Sequence, residues 1–374
     1  MRIKYSDLVD YSKLDPVKRK ALEMFESTLK NPERLNIKVM PVGETAAVLD
    51  FLDYDFMLAF NVEDLGTKNL IADSIYKELK EKMEIDKRIQ AGKYYRFLGQ
   101  DAVAMSVTDL VAVGADPVAY ADIIASGDSK WFDDLERTSE LLYGYKIAAD
   151  LAGIAIPQGE TPTLPGIVNP ETLDLAGSSV GIIKPKSRFT YGQRIHEGDA
   201  VYGLPSNGIC ANGVSKARKI AEKLPEGYHT KLPNGKELGE ELLTPTPIYV
   251  RPIIEMFEAS VDIHYISPIT GHAWRKFARA RFPFTYIIEN IPEPPLVFSS
   301  LVELGRKHGL DVSDYENYQV WNMGVFIGLV APKEDRETIA QVLKKHGIEL
   351  YDLGHVEKGE RQVIIKPKNV RYVE

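Results

Sequence analysis

The spacing of apolar residues changes period along this chain, and each period predicts an element. Residues 15–30, DPVKRKALEMFESTLK, put Val17, Ala21, Phe25 and Leu29 on one helical stripe, with Asp15 as N-cap and Pro16 at the first helical position. Residues 55–62, DFMLAFNV, are an apolar run of strand length that enters the polar loop EDLGTKN. The run QDAVAMSVTDLVAVGADP (100–117) predicts a helix from about Asp101 to Val113, stopped by Gly114. A strand is expected over 117–126. The amphipathic stretch 131–153 then carries Leu135, Leu142, Tyr145 and Ala149 on one side and ends at Gly153. Short strands follow at 154–160 and 178–185.

From Lys184 to Gly198 the chain turns polar and basic, which places a domain boundary there: residues 1–185 and residues 186–374. The second half repeats the mixture. Strands are expected at 199–206 and 320–332, helices at 214–224, within 244–260 and at 333–347, and a closing strand at 360–367. Strands and helices mix without strict alternation, so the fold class is α+β in two domains.

Composition narrows the partners. The 374 residues carry 46 basic and 54 acidic side chains, a net charge of −8, and no Lys/Arg-rich run. That argues against nucleic-acid binding. The N-terminus has no apolar leader and no run approaches 18 apolar residues, so neither a signal peptide nor a membrane span is expected and the expected setting is cytoplasmic. The single cysteine, Cys210, excludes an internal disulfide and a CxxC metal site, and reads as a small packed residue.

Walker-type and dinucleotide-type glycine motifs are both missing from the sequence. Three constellations remain. In VEDLGTKN (62–69), Glu63 and Asp64 can hold Mg²⁺, Gly66 and Thr67 offer close backbone and a hydroxyl, and Lys68 offers a point charge, a set suited to a polyphosphate. The same composition also suits a solvated turn. In the stretch 100–117, Asp101 and Asp116 have structural uses at a helix start and in a turn. Asp109, about 12 Å along the helix from Asp101, has none, and is either an exposed helix charge or a ligand. The loop GLPSNGICANG (203–213) can present N–H groups to an anion or serve as a plain connection.

In this order and spacing these segments resemble aminoimidazole ribonucleotide synthetase, the phosphoribosylformylglycinamidine cyclo-ligase family of purine biosynthesis. The family's DGVGTK loop corresponds to EDLGTK (63–68), and its DxVAMxVNDLVxxGAxP helix to DAVAMSVTDLVAVGADP (101–117). QGETPTLPG (158–166), DLAG (174–177), SNGICANGVS (206–215), LLTPTPIY (242–249), PITGHA (268–273) and WNMGVF (321–326) follow the remaining family motifs.

The resemblance implies a two-domain ATP-binding synthetase fold whose N-terminal domain forms a β-barrel-like homodimer core. It implies ATP and Mg²⁺ as cofactors and a small-molecule nucleotide substrate. Carried over by position, Asp109, Lys68 and Glu160 are the expected catalytic residues, and Glu63, Asp64 and Asp109 the expected metal ligands. Gly66, Thr67, Lys68, Thr108, Asp109, Asn212 and Gly213 are expected at the nucleotide. Asp174, Thr270, Gly271, Asn322 and Gly324 are expected at the substrate. The chain departs from the pattern at Thr108, Cys210, Pro268, His272, Ala273 and Phe326, where the family has Asn, His, His, Gly, Gly and Gly. Acidic, ATP-side features survive and several substrate-side features change. The implied reaction is the ATP-dependent closure of formylglycinamidine ribonucleotide to aminoimidazole ribonucleotide. A divergent member that phosphorylates another small substrate, or a non-catalytic nucleotide-binding dimer, also fits.

Overall fold

Among the described residues, thirteen strands fall into two sheets, one from each half of the chain. The computed structural model describes residues 3–40 and 45–374. Residues 41–44 belong to KVMPVGETAAVLDF (38–51), where the family's glycine-rich segment is not evident in the sequence, and lie outside the described residues. The first sheet contains β1 (Ile37–Val39), β2 (Ala47–Phe51), β3 (Met57–Asp64), β4 (Asp116–Ser126), β5 (Ala155–Glu160) and β6 (Leu173–Ile183), in the order β1-β2-β3-β6-β4-β5. All its neighbours are antiparallel except β4 and β5.

Helix α1 (Tyr11–Phe25) begins five residues earlier than expected, because the Asp10 carboxylate caps the Ser12 N–H at 3.0 Å. Pro16 therefore lies inside the helix. The expected stripe is not a core face: Val17, Phe25 and Leu29 are 67%, 60% and 49% exposed.

One face of the first sheet is covered by α2 (Asn69–Glu81), α3 (Ile85–Ala112) and α4 (Leu135–Ala152). Helix α3 is the main correction to the expected elements. It runs 28 residues, about 42 Å, because no proline interrupts 85–112. Asp101 therefore sits in mid-helix, far from any helix-terminal dipole, and is fully buried. Gly114 ends the run with φ +82°, as expected, and Asp116 opens β4 rather than sitting in a turn. Helices α3 and α4 approach closely because Gly99 and Gly144 face each other's backbone; a Cβ on either would overlap Leu141 O or Arg96 O. That contact turns Leu141, Tyr145, Ala148, Ala149 and Ala152 inward and leaves Leu135 and Leu142 exposed.

The opposite face of the same sheet carries Phe60, Val62, Ile123 and Ile182, which are 38–72% exposed. These residues occupy matching rows of β3, β4 and β6.

The second sheet contains β7 (Ala200–Pro205), β8 (Tyr265–Pro268), β9 (Phe284–Ile288), β10 (Val325–Ala331), β11 (Tyr351–Lys358), β12 (Gln362–Ile365) and β13 (Val370–Val373). Its order is β13-β12-β9-β11-β7-β10-β8. β13 pairs antiparallel with β12 and is an extra strand beyond the expected closing one. Helices α5 (Val214–Ala221), α6 (Leu238–Leu242), α7 (Val250–Glu258), α8 (Leu296–Lys307), α9 (Asp314–Val320) and α10 (Arg336–Lys345) pack around it. Every residue of β10 is buried, as its unbroken apolar run requires. Helix α7 and strand β8 also touch α3, and one apolar core runs through both halves. Among the described residues no helix is long and apolar enough to cross a membrane.

Candidate functional site

Alternation along a strand sends neighbouring residues to opposite faces. At the end of β3 this separates Glu63, which turns toward α3, from Asp64, which faces outward. The inner side is fixed just before that point. Asn61 donates to Ser106 O at 3.0 Å, and its Oδ1 accepts from Ser106 Oγ at 2.8 Å and Ser179 Oγ at 2.6 Å. This buried network sets the register of β3 against α3, so that Glu63 meets Asp109 one turn beyond Ser106.

Asp109 is buried, not an exposed helix charge. Burial pushes its carboxyl well above the usual range, and the charge and hydrogen bond of Glu63 push the same way; Lys276 and Arg279 pull against them. Without a cation, two facing carboxyls share a proton. With one, they form an oxygen donor pair for a hard ion. Lys276 also donates to Thr270 Oγ1, which brings that expected substrate residue into the same cluster.

On the other face, Asp64 Oδ1 accepts the Gly66 N–H at 2.5 Å, where Gly66 turns with φ +71°. Asp64 pairs with Ala176 of β6, and Asp174 lies two residues along on the same face. Burial raises its carboxyl, and the charge and hydrogen bond of Asp64 add to the rise. The expected metal trio of Glu63, Asp64 and Asp109 is thus divided into two carboxyl pairs, Glu63–Asp109 and Asp64–Asp174.

Lys68 offers no free point charge. It is fully buried, with Nζ 2.6 Å from Asp101 Oδ2 and donating to Thr244 O at 2.8 Å. Asp101 Oδ1 accepts the Thr246 N–H at 2.6 Å. The pair therefore ties the loop and α3 to residues 244–246 of the second half. Thr67 Oγ1 lies 3.5 Å from Ser215 Oγ, a second link between the halves. Thr108 donates back to Ala104 O at 2.6 Å within α3. Glu160 is exposed at the end of β5, opposite Ile123 of β4.

In the second half, Asn212 points its amide at Met105 Sδ on α3 (3.7 Å). Gly213 holds φ +71° against Trp321, whose Nε1 donates to Gly213 O at 3.1 Å. Asn322 is engaged internally: Oδ1 accepts from Ser206 Oγ at 2.7 Å and Gly324 N at 3.0 Å, and Nδ2 donates to Gly208 O at 2.8 Å. It joins the 206–208 and 322–324 loops. Gly271 precedes His272 and Ala273, which hold φ +65° and +43°, the left-handed region that favours glycine. Phe326 fills the core beside Tyr249. Burial pushes the Cys210 thiol up to about 12, in keeping with a packed, unreactive residue.

Lys276, Arg279 and Asn61 are not among the residues expected from the sequence. The cationic spacing in WRKFARAR (274–281) was the available signal for the first two. A cavity of about 720 Å³ beside α2, also unexpected, is lined among others by Asp73, Lys80, Lys130, Trp131, Arg137 and Arg218. There Asp73 accepts from Tyr95 at 2.7 Å and Thr172 at 2.5 Å, and Arg137 stacks on Trp131 at 4.0 Å.

This pair of sheet-and-helix domains recurs in known proteins. The N-terminal and C-terminal domain models described as "AIR synthase related protein" match residues 43–183 and 196–366, and the chain belongs to that family of enzymes. It is similar to the phosphoribosylformylglycinamidine cyclo-ligase of Methanocaldococcus jannaschii, at 32% identity over 87% of this chain and 85% of the relative. The protein of the same name from Thermococcus kodakarensis is 34% identical over 84% of this chain and 83% of its own. Among solved structures, thiamine-monophosphate kinase from Stenotrophomonas maltophilia K279a shares the fold, with a TM-score of 0.55 at 16% identity, covering 99% of this chain and 96% of that one. AaThiL complexed with AMPPCP and TMP gives a TM-score of 0.56 at 14% identity, over 99% and 94%.

Proposed function

We propose that this chain is an ATP- and Mg²⁺-dependent cyclo-ligase that closes formylglycinamidine ribonucleotide to aminoimidazole ribonucleotide. The observation that carries the reading is the Glu63–Asp109 carboxyl pair, held at the end of β3 with Lys276 and Arg279 beside it. Its donor chemistry fits Mg²⁺: two carboxyl groups face each other, one is driven toward its neutral form, and a divalent ion relieves that repulsion. Asp64 and Asp174 form a second oxygen pair of the same kind. Mg²⁺ held there would neutralise the charge that builds on a transferred phosphoryl group.

The residues of the chain then have distinct tasks. Lys276 and Arg279 add positive charge beside Asp109 for an anionic substrate. Lys68 and Asp101 position the 63–68 loop rather than touch the phosphates. In the overall reaction the formyl oxygen of the substrate is phosphorylated by ATP. A nitrogen of the same molecule then attacks that carbon, and phosphate leaves. A cytoplasmic homodimer and a division into residues 1–185 and 186–374 are part of the proposal. The apolar face bearing Phe60, Val62, Ile123 and Ile182 supports the dimer, since a second copy would cover it.

Phe326 favours a second reading, in which the chain uses ATP to phosphorylate another small substrate. Its ring fills a position where the resembled pattern has glycine. Purified protein given formylglycinamidine ribonucleotide, ATP and Mg²⁺ should release ADP and form the imidazole product. ATP turnover indifferent to that substrate would remove the first reading in favour of the second.

A further inference from the structure

We propose that His196, Asp199 and His264 form a binding site for a divalent transition metal of the zinc class. One ligand atom from each lies within 4.8 Å of the others. The geometry is built, not accidental. The His196 N–H donates to Asp199 Oδ2 at 2.8 Å, closing a short turn that sets both side chains on one side. Gly198 N–H donates to Val356 O of β11 at 2.8 Å, which anchors the turn on the second sheet. His264 is held by its backbone: its N–H donates to Val330 O at 2.8 Å, and its carbonyl accepts from Thr190 Oγ1 at 2.8 Å. Asp199 and His264 are only 6% and 4% exposed, while His196 reaches solvent and offers an entry path.

The two ring nitrogens of His264 have different partners. Nδ1 faces Asp199 Oδ2 at 2.7 Å, and Nε2 faces Asp262 Oδ2 at 3.1 Å. Asp262 in turn takes Arg194 Nε at 3.1 Å. An outer carboxylate on one nitrogen, with the other nitrogen turned toward a ligand set, is the arrangement that orients metal-bound histidine. Without metal, a His264 ring protonated at both nitrogens bridges the two aspartates, one N–H to each. With metal, the Nδ1 proton is released, the Nε2–H stays on Asp262, and the ion would be held by Nδ1, Asp199 and His196. Two imidazoles and one carboxylate favour a borderline-soft ion over Mg²⁺, which prefers oxygen alone. Tetrahedral bonds of about 2.0–2.1 Å put ligand atoms about 3.3 Å apart, so small side-chain rotations close the cluster. The site shares no residue with the Glu63–Asp109 pair, and the charged groups acting on His264 and on Asp109 are different sets.

The test is titration of tag-free, chelator-stripped full-length protein with Co²⁺, in excess Mg²⁺ to occupy the carboxyl pairs. We expect about one equivalent to bind with visible ligand-field bands and proton release, and Zn²⁺ to displace it. His196→Ala should weaken binding at least roughly tenfold and erase the bands, with the metal-free melting temperature unchanged. Absence of Co²⁺ bands in the wild type would show a proton-bridged ion pair only and overturn the proposal. Bands unchanged in His196→Ala would do the same.

Discussion

Lys68 Nζ and Asp101 Oδ2 lie 2.6 Å apart, and neither side chain is exposed to solvent. Lys68 opens the segment that follows the acidic loop, Asp101 sits mid-way along α3, and both reach into residues 244–246 of the second half. A buried pair of this kind is costly to break from one side, because the remaining charge has no partner. Lys68→Met should therefore destabilise the protein by about 3–5 kcal/mol in urea unfolding. Lys68→Met combined with Asp101→Leu should recover much of that loss. A single variant of full stability that has lost only activity would instead place Lys68 at the phosphates.

Asp109→Asn should abolish Mg²⁺-dependent ATP binding measured by calorimetry, while unfolding free energy changes by less than about 1 kcal/mol. The physical reason is that burial and the Glu63 charge drive the Asp109 carboxyl toward its neutral form, which an amide resembles. Unchanged binding in this variant would remove Asp109 from the metal set.

Asp73 supplies a pH dependence. Burial raises its carboxyl from the usual 3.8 to about 6, against hydrogen bonds from Thr172 and Tyr95 that lower it. An acid with a raised folded pKa binds its proton more tightly in the folded state. Its stabilising contribution is complete below the unfolded pKa and is lost as pH rises through about 6. Roughly two pKa units correspond to ~3 kcal/mol. Asp73→Asn removes this titration, so its stability relative to the wild type should improve by about that amount between acid and neutral pH. Parallel unfolding profiles across that range would show that Asp73 titrates normally.

The apolar outer face of the first sheet should bind a second copy of the chain. Val62, 72% exposed in the single chain, lies in the middle of it. Val62→Glu should shift a dimer to monomer in sedimentation analysis, with the fold intact by circular dichroism. A wild type that sediments as a monomer at micromolar concentration would exclude this use of the face.

Much of the chain's organisation was legible in its pattern. The strands at 57–64, 116–126 and 325–331 come from apolar runs too short for helices, and Gly114, Gly153 and Gly347 end helices with positive φ as their positions suggested. The start of α3 was not legible. Residues 85–100 mix charged and aromatic side chains with no clear amphipathic period, and packing against α2 through Tyr76 and Tyr95 and against α4 through Gly99 and Gly144 holds them helical. The same gap hid Asp101. With the helix start placed at that residue, a dipole explanation sufficed, and the distant partner Lys68 was not visible.

Local period and residue order were enough to show which residues could carry charge, where most strands and helices lie, and which family the chain resembles. Tertiary structure decided which carboxyls meet. Strand alternation parts Glu63 from Asp64, and the Asn61–Ser106–Ser179 network then sets Glu63 against Asp109. β6 brings Asp174 to Asp64, and the turn containing Ala273–Arg279 delivers Lys276 and Arg279 from more than 160 positions away. Pairings over such separations follow from packing and desolvation, which no local pattern encodes.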